Sequence, residues 1–216
     1  MNGCESVDDL PIRVLGIGGS TRRDSKSLAL LQSALHLAAD AGAGVTLADV
    51  RALDLPIYDH DRPLHDYPSS LHELLTAARA ADAYILCSPT YHGTVSGAVK
   101  NALDALNFLE VEDPPYLASK PVALMALGGG GAANVLNSLH HVTRALNGLS
   151  IPTTVIAHGS AIREGEISDE AVRRRLSRLV HELLDLAVRL RSPVASPTTG
   201  NLTRHAMTRF VRSAPT

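Results

Sequence analysis

Tryptophan is absent from this chain of 216 residues, and aromatic residues make up only 3% of it. Its core must therefore be packed from Leu, Val, Ile and Ala. Two cysteines, Cys4 and Cys87, stand far apart and form no CxxC pair, which excludes a disulfide framework and fits a reducing, cytoplasmic setting. No window supplies the roughly 18 uninterrupted apolar residues of a membrane span. The leader Met1 to Pro11 has neither the basic region nor the apolar run of a secretory signal. A formal net charge of −2 gives no reason to expect nucleic acid or an anionic membrane as partner. Neither GxSxG nor HExxH occurs, and no internal repeat is found. His140 and His141 are adjacent and point apart on a helix, while His60, His65 and His72 fall in polar segments, so metal binding is not expected.

What is present is an ordinary globular composition, 45% hydrophobic and 19% charged, sufficient for one domain over residues 12–191. Ile12 to Ile17 reads as a first strand, and Ser25 to Ala41 as a helix with Leu28, Leu31 and Leu35 at helical spacing. Val45 to Val50 is a second strand. Residues 51–68, with Pro56, Pro63 and Pro68, form an irregular loop ahead of a helix ending near Ala81. Ala83 to Cys87 is a third, fully buried strand, followed by a loop and a helix from Ser96 to Leu109. Pro121 to Leu127 is a fourth strand, and Gly128 to Gly131 opens a helix reaching toward Leu149. Ile151 to Ala157 and Asp169 to Arg191 complete the alternation.

Strands alternating with helices predict an α/β, three-layer fold, with a five-stranded parallel sheet of the flavodoxin-like order 2-1-3-4-5 covered by helices on both faces. Ligands of such sheets lie beyond the carboxyl ends of the strands. The loops after strands 1, 3 and 4 are the ones rich in Gly, Ser, Pro or Tyr, and they are expected to converge on one site. Residues 192–216 carry Arg204, Arg209 and Arg212 with no acidic residue, and read as a tail that is disordered or serves as an oligomer arm.

After strand 1, Gly16 to Thr21 superficially matches a dinucleotide-binding glycine fingerprint, but Thr21 stands where the third glycine belongs. The segment Gly19 to Ser27 instead places hydroxyls and cations at the start of a helix, where free amides and the helix dipole favour a phosphate. Arg22 can grip phosphate oxygens as a fork, whereas Lys26 acts as a point charge. The competing reading is a plain helix cap with a solvated basic face. The second informative segment, Ser88 to Asn101, is a polar and aromatic loop suited to holding something flat.

Taken together, these segments resemble the NADPH-dependent FMN reductase family over roughly residues 12–190. The family's Gly-Ser-x-Arg-x-x-Ser-x-Asn or Ser loop is matched by Gly19, Ser20, Arg22, Ser25 and Ser27. Its Pro-x-Tyr-Asn-Gly loop, followed by Gly-x-x-Lys-Asn-x-x-Asp, is matched by Pro89, Tyr91, Gly93, Gly97, Lys100, Asn101 and Asp104. The resemblance implies that Ser20, Arg22, Ser25 and Ser27 hold the FMN phosphate. It likewise implies that Pro89, Thr90, Tyr91, His92 and Gly93 run along the ribityl chain and ring, and that Gly128, Gly129, Gly130 and Gly131 approach the flavin. Lys100, Asn101 and Asp104 are expected to cap or pair within their own helix. His92 departs from the family's Asn.

The activity implied is hydride transfer from NADPH, or NADH, to flavin N5, with electrons then passing to free flavin, a quinone, an azo compound or a metal ion. No catalytic side chain is needed for it. Arg22 or Arg23 would be partners of the NADPH 2′-phosphate. A flavodoxin-like electron carrier without substrate turnover is the alternative. The resemblance also implies a homodimer or homotetramer.

Overall fold

The computed structural model describes residues 11–191; the leader before Pro11 and the tail 192–216 lie outside the described residues. In chain order the elements are β1 (Arg13–Gly18), α1 (Lys26–Asp40), β2 (Gly44–Asp49), α2 (Val50–Leu53), α3 (Ser69–Ala80), β3 (Ala83–Tyr91), β4 (Thr94–Val95), α4 (Gly97–Asp104), β5 (Pro121–Leu127), α5 (Ala132–Ala145), β6 (Leu149–Ala157), β7 (Ile162–Arg163), β8 (Glu166–Ile167) and α6 (Glu170–Arg191).

The main sheet runs β2-β1-β3-β5-β6, all parallel. This is the expected doubly wound path, but the sheet has six strands rather than five, because the two-residue β4 folds back antiparallel on β3. A separate β7–β8 hairpin was also not expected.

Although β1, β3 and β5 read as continuous apolar runs, their side chains alternate between two cores. Leu15, Ile17, Tyr84, Leu86, Val122 and Leu124 face α3, α4 and α5, in a cluster with Leu71, Leu74, Leu103 and Val135. Val14, Ile85, Cys87, Ala123 and Met125 face α1 and α6, against Leu30, Leu31, Leu179 and Leu183. Each fully buried Leu or Ile contributes about 1.5–3 kcal/mol, and with so few aromatics these aliphatic contacts carry both layers. Tyr84 is fully buried and donates from its hydroxyl to Ala78 O at 2.5 Å. Burial pushes its phenol above the usual range.

Several expected boundaries move: the helix expected from Ser96 to Leu109 ends as α4 at Asp104 and continues as a 3-10 helix, Ala105–Leu109, and the loop expected over 51–68 begins with the end of α2. The third strand was expected to end near Cys87, yet β3 continues through Pro89 to Tyr91. Pairing with β1 stops at Gly18↔Cys87, so Pro89 has only β5 beside it, at Leu127, and its missing N–H falls where the sheet has already narrowed. The fourth long helix was expected to open at the glycine run and reach toward Leu149; α5 instead spans Ala132–Ala145, and Leu149 begins β6. Asn147, with φ of 59°, turns the chain between them.

Asp82, just before β3, joins the two ends of the domain. Its Oδ2 accepts from the Arg13 backbone N–H at 2.8 Å and from the Arg191 guanidinium at 2.5 Å. Burial pushes the carboxyl upward, but the Arg13 N–H and the Arg191 and Arg13 side chains outweigh it and hold the carboxyl below its ordinary value. A carboxyl depressed by folding stabilises the fold above its unfolded-state pKa, and that stabilisation disappears as pH falls through the lower folded-state value. Asp82→Asn should therefore lower stability by about 1–3 kcal/mol at neutral pH, with the difference shrinking as pH falls into the acid range where the folded-state carboxyl takes up its proton. Denaturant midpoints of the two proteins measured across this range check it.

Candidate functional site

The carboxyl ends of β1, β3, β5 and β6 open on one cleft of about 460 Å³. Its first wall is the loop between β1 and α1. Ser25 is the N-cap of α1, its Oγ accepting from Leu28 N at 3.2 Å. Ser20 Oγ donates to Ser25 Oγ at 2.9 Å, and Ser25 and Ser27 hydroxyls lie 3.1 Å apart. These three buried hydroxyls line the cleft together with the exposed Arg22, Asp24 and Lys26. The cap read from the sequence is present at Ser25, and the hydroxyls and cations of the other reading stand beside it on the cleft.

The second wall is the end of β3, with Pro89, Thr90 and Tyr91 on the cleft. Beneath it Ser88, fully buried, accepts from Ser96 N at 3.0 Å and donates to Pro89 O at 2.8 Å, fixing the exit of β3 to the start of α4. Tyr91 keeps 41% of its surface exposed, leaving a ring partly free of protein contacts.

His92 and Gly93 do not line this cleft. They are the two central residues of the β3–β4 hairpin, between the Tyr91↔Thr94 pair, with φ of 50° and 82°. Positive φ at both positions is the type I′ geometry that favours Asn-Gly. His92 therefore occupies a backbone position where Asn is the easier residue, and its exposed side chain makes no demand for imidazole.

The glycine run forms the third wall. Gly128 and Gly129 line the cleft; Gly130 and Gly131 do not. A Cβ on Gly128 would stand 2.3 Å from Thr90 Oγ1, and one on Gly131 3.0 Å from Gly93 Cα. Gly128 and Gly131 are thus required for the β5 loop to close on the β3 hairpin, protein against protein. Thr90 Oγ1 completes that closure by donating to Leu127 O at 3.1 Å.

The fourth wall, from β6, carries no sequence motif. His158 and Gly159 line the cleft, and Lys26 Nζ donates to Gly159 O at 2.6 Å, strapping this wall to α1. His158 Nδ1 lies 3.2 Å from Ser160 Oγ. Only the parallel order of the sheet brings these residues to the side of the β1–α1 serine loop, which is why local pattern could not find them.

Lys100 pairs locally with Asp104 at 2.5 Å, as expected. Asn101 does not stay within its helix: its Oδ1 accepts from Tyr58 N at 2.8 Å and its Nδ2 donates to Pro56 O at 2.9 Å. Together with Tyr67, whose hydroxyl bonds to Asp59 N and O, it makes the proline-rich segment a bonded structure that includes a short 3-10 turn, Leu64–Asp66. Cys87 lies fully buried below the first wall, its thiol donating to Ser27 O at 3.3 Å, and burial pushes its pKa above the usual range. Among the described residues no group of three His, Cys, Asp or Glu is placed to hold a metal ion.

A family model described as NADPH-dependent FMN reductase matches residues 12–161. An NADPH azoreductase from Bacillus sp. (strain OY1-2) is 36% identical over 127 residues, which cover 58% of this chain and 67% of that protein. A probable NADPH:quinone oxidoreductase 2 from Oryza sativa subsp. japonica is 26% identical over 201 residues, 88% of this chain and 96% of that protein. Among solved structures, the flavoenzyme NAD(P)H:(acceptor) oxidoreductase FerB from Paracoccus denitrificans has a TM-score of 0.67 at 24% identity, covering 82% of this chain and 98% of that one. The three-layer architecture is flavodoxin-like.

Two substitutions separate turn geometry from wall packing. His92→Asn should raise stability by a few tenths to about 1 kcal/mol, by relieving the left-handed position, and thermal unfolding reads it. Gly128→Ala should cost about 1–3 kcal/mol through the clash with Thr90. Gly130→Ala, with nothing within 4 Å of the new methyl, should leave the midpoint within about 0.5 kcal/mol.

Proposed function

The chain belongs to the NADPH-dependent FMN reductase family, and on that premise we propose that the cleft over β1, β3, β5 and β6 is its FMN site, within a reductase domain of residues 12–191. The chain is a flavin-dependent oxidoreductase that uses FMN and NADPH. In the proposed arrangement Ser20, Arg22, Ser25 and Ser27 take the phosphate. Pro89, Thr90 and Tyr91 take the ribityl chain and ring, and Gly128 and Gly129 lie alongside. The observation that carries this reading is that two motifs far apart in sequence open on one cavity of about 460 Å³.

The chemistry of the walls fits the group. Hydroxyls, the start of α1 and the Arg22 guanidinium suit a dianion at one end, with the helix dipole adding about 0.3–1 kcal/mol and each charge-assisted hydrogen bond more. Toward the other end Pro89, Leu127 and the half-free Tyr91 ring offer apolar surface to a flat ligand. When bound, FMN supplies the two-electron relay between a nicotinamide and a second acceptor.

This chain's own residues bind and orient. The serine cluster and Arg22 fix the anionic end, and the Thr90–Leu127 bond keeps two walls in register. The Lys26–Gly159 strap holds the fourth wall against α1. No side-chain nucleophile or proton donor is required of them.

The acceptor is proposed to be a small molecule, either free flavin, a quinone, an azo compound or a metal ion; the names of the azoreductase and quinone oxidoreductase relatives support that class. NADH as a second donor, a cytoplasmic location and a homodimer or homotetramer belong to the same reading, which rests there on the family resemblance. Among the described residues no helix is long and apolar enough to cross a membrane. The comparisons lend no support to the electron-carrier alternative.

The test is spectroscopic. Purified protein, or apoprotein given FMN, should show flavin absorbance that bleaches on anaerobic mixing with NADPH; failure to take up FMN would overturn the assignment of the cleft. Arg22→Ala should raise the FMN dissociation constant about 10- to 100-fold, measured by quenching of FMN fluorescence. An unchanged constant would place the phosphate elsewhere.

A further inference from the structure

The β6 wall of the cleft ends in a side chain that neither sequence motif supplies and that the binding roles above leave unused. We propose that His158 Nε2 donates a hydrogen bond to the flavin held in the cleft, and that this contact favours the reduced over the oxidised cofactor, so that His158 sets part of its midpoint potential. The proposal rests on the reading of the cleft as the FMN site.

The backbone on both sides of His158 is fixed. Before it, Ala157 O accepts from Gly128 N at 3.0 Å, which ties the end of β6 to the glycine wall. After it, Gly159 O accepts from Lys26 Nζ at 2.6 Å, which ties the chain to α1. His158 O itself accepts from Ala161 N at 2.9 Å and leads into a 3-10 turn, Gly159–Ala161. A residue held between bonds to two other walls has little freedom to leave the cleft it lines.

The imidazole is oriented as well. Its Nδ1 lies 3.2 Å from Ser160 Oγ, on the side of the turn. Its Nε2 lies on the side of the glycine wall, where a Cβ built on Gly129 would stand 3.7 Å from it. Gly129 carries no side chain to fill that space. A neutral imidazole that accepts the Ser160 hydroxyl at Nδ1 carries its hydrogen on Nε2, and a protonated one has an N–H there in either case.

The distribution of charge gives this donor its consequence. Arg22, Asp24 and Lys26 stand around the start of α1, on the side assigned to the phosphate. Among the described residues that line the other walls, only His158 can carry a positive charge. A hydride taken from NADPH, which is thereby oxidised to NADP+, brings two electrons and one proton, and so adds one negative charge to the cofactor. A hydrogen bond to a charged acceptor is roughly twice as strong as one to a neutral acceptor, so an N–H at this wall holds the reduced form more tightly.

The midpoint potential of the FMN-loaded protein, read by equilibration with a reference dye, tests this alongside the dissociation constant for oxidised FMN, read by fluorescence quenching. His158 is exposed, so the fold does not depend on its side chain. His158→Ala should weaken the hold on reduced relative to oxidised flavin about tenfold, which is a potential about 30 mV more negative for a two-electron couple. The constant for oxidised FMN should stay within about threefold. His158→Gln, which keeps an amide donor, should recover part of the shift. A potential that does not move in His158→Ala would overturn the proposal. An equal loss of affinity for both forms would overturn it too, because it leaves the potential where it was. A protein that takes up FMN and gives either of these results loses only the role of His158, whereas one that takes up no FMN loses the parent reading.

Discussion

Parallel pairing of β1, β3 and β5 is the constraint on which the rest depends. The registers Gly18↔Cys87 and Cys87↔Met125 bring three strand ends to one edge, and Leu127↔Ala157 adds the fourth. Because β3 runs on from Ser88 to Tyr91 after β1 has stopped, the sheet edge is stepped rather than level. The recess beside that step is where the serine loop and the glycine loop face each other. Lose the register by one residue and every inward side chain changes core, since the pleat has a period of two.

Onto that edge the chain adds contacts that convert four loops into walls. Ser25 caps α1 and gathers Ser20 and Ser27 around itself; Thr90 reaches Leu127; Lys26 reaches Gly159. None of these is individually strong, each being worth about 1 kcal/mol net as a neutral bond and more where charged. Their value lies in preorganisation, because a cofactor entering a cavity already shaped does not have to order the loops that hold it. The same logic extends to the proline-rich segment, which Asn101 fastens by both ends of its amide at Pro56 and Tyr58.

The order of long elements was legible from the sequence because it rests on local signals. Apolar runs such as Pro121 to Leu127 and helical spacing such as Leu28, Leu31 and Leu35 need no partner to be recognised. The continuation of β3 through Pro89 was not legible, since whether a proline is tolerated depends on which neighbouring strand remains beside it. The β4 and β7–β8 strands are too short to carry a periodic pattern, and the end of α5 is set by the turn at Asn147. In the candidate site, the hydroxyl and glycine residues stood out because unusual residue types cluster at strand ends. His158 and Gly159 did not, being ordinary residues made relevant by sheet order. Asn101 was expected to act within its own helix, and only the fold shows that its amide faces a loop that precedes it by more than a whole strand and helix.

Cys87 has a bearing on the durability of the molecule. A reduced flavin exposed to air gives rise to peroxide, and an accessible thiolate beside it would be the first group in the protein to be oxidised. Here the thiol is fully buried, kept in its protonated form and tied to Ser27 O directly beneath the serine wall. Met125, its neighbour in register on β5, is equally sealed. On the proposed reading of the cleft, both sulfurs are sealed in the core behind the serine wall, out of reach of the by-product of flavin turnover.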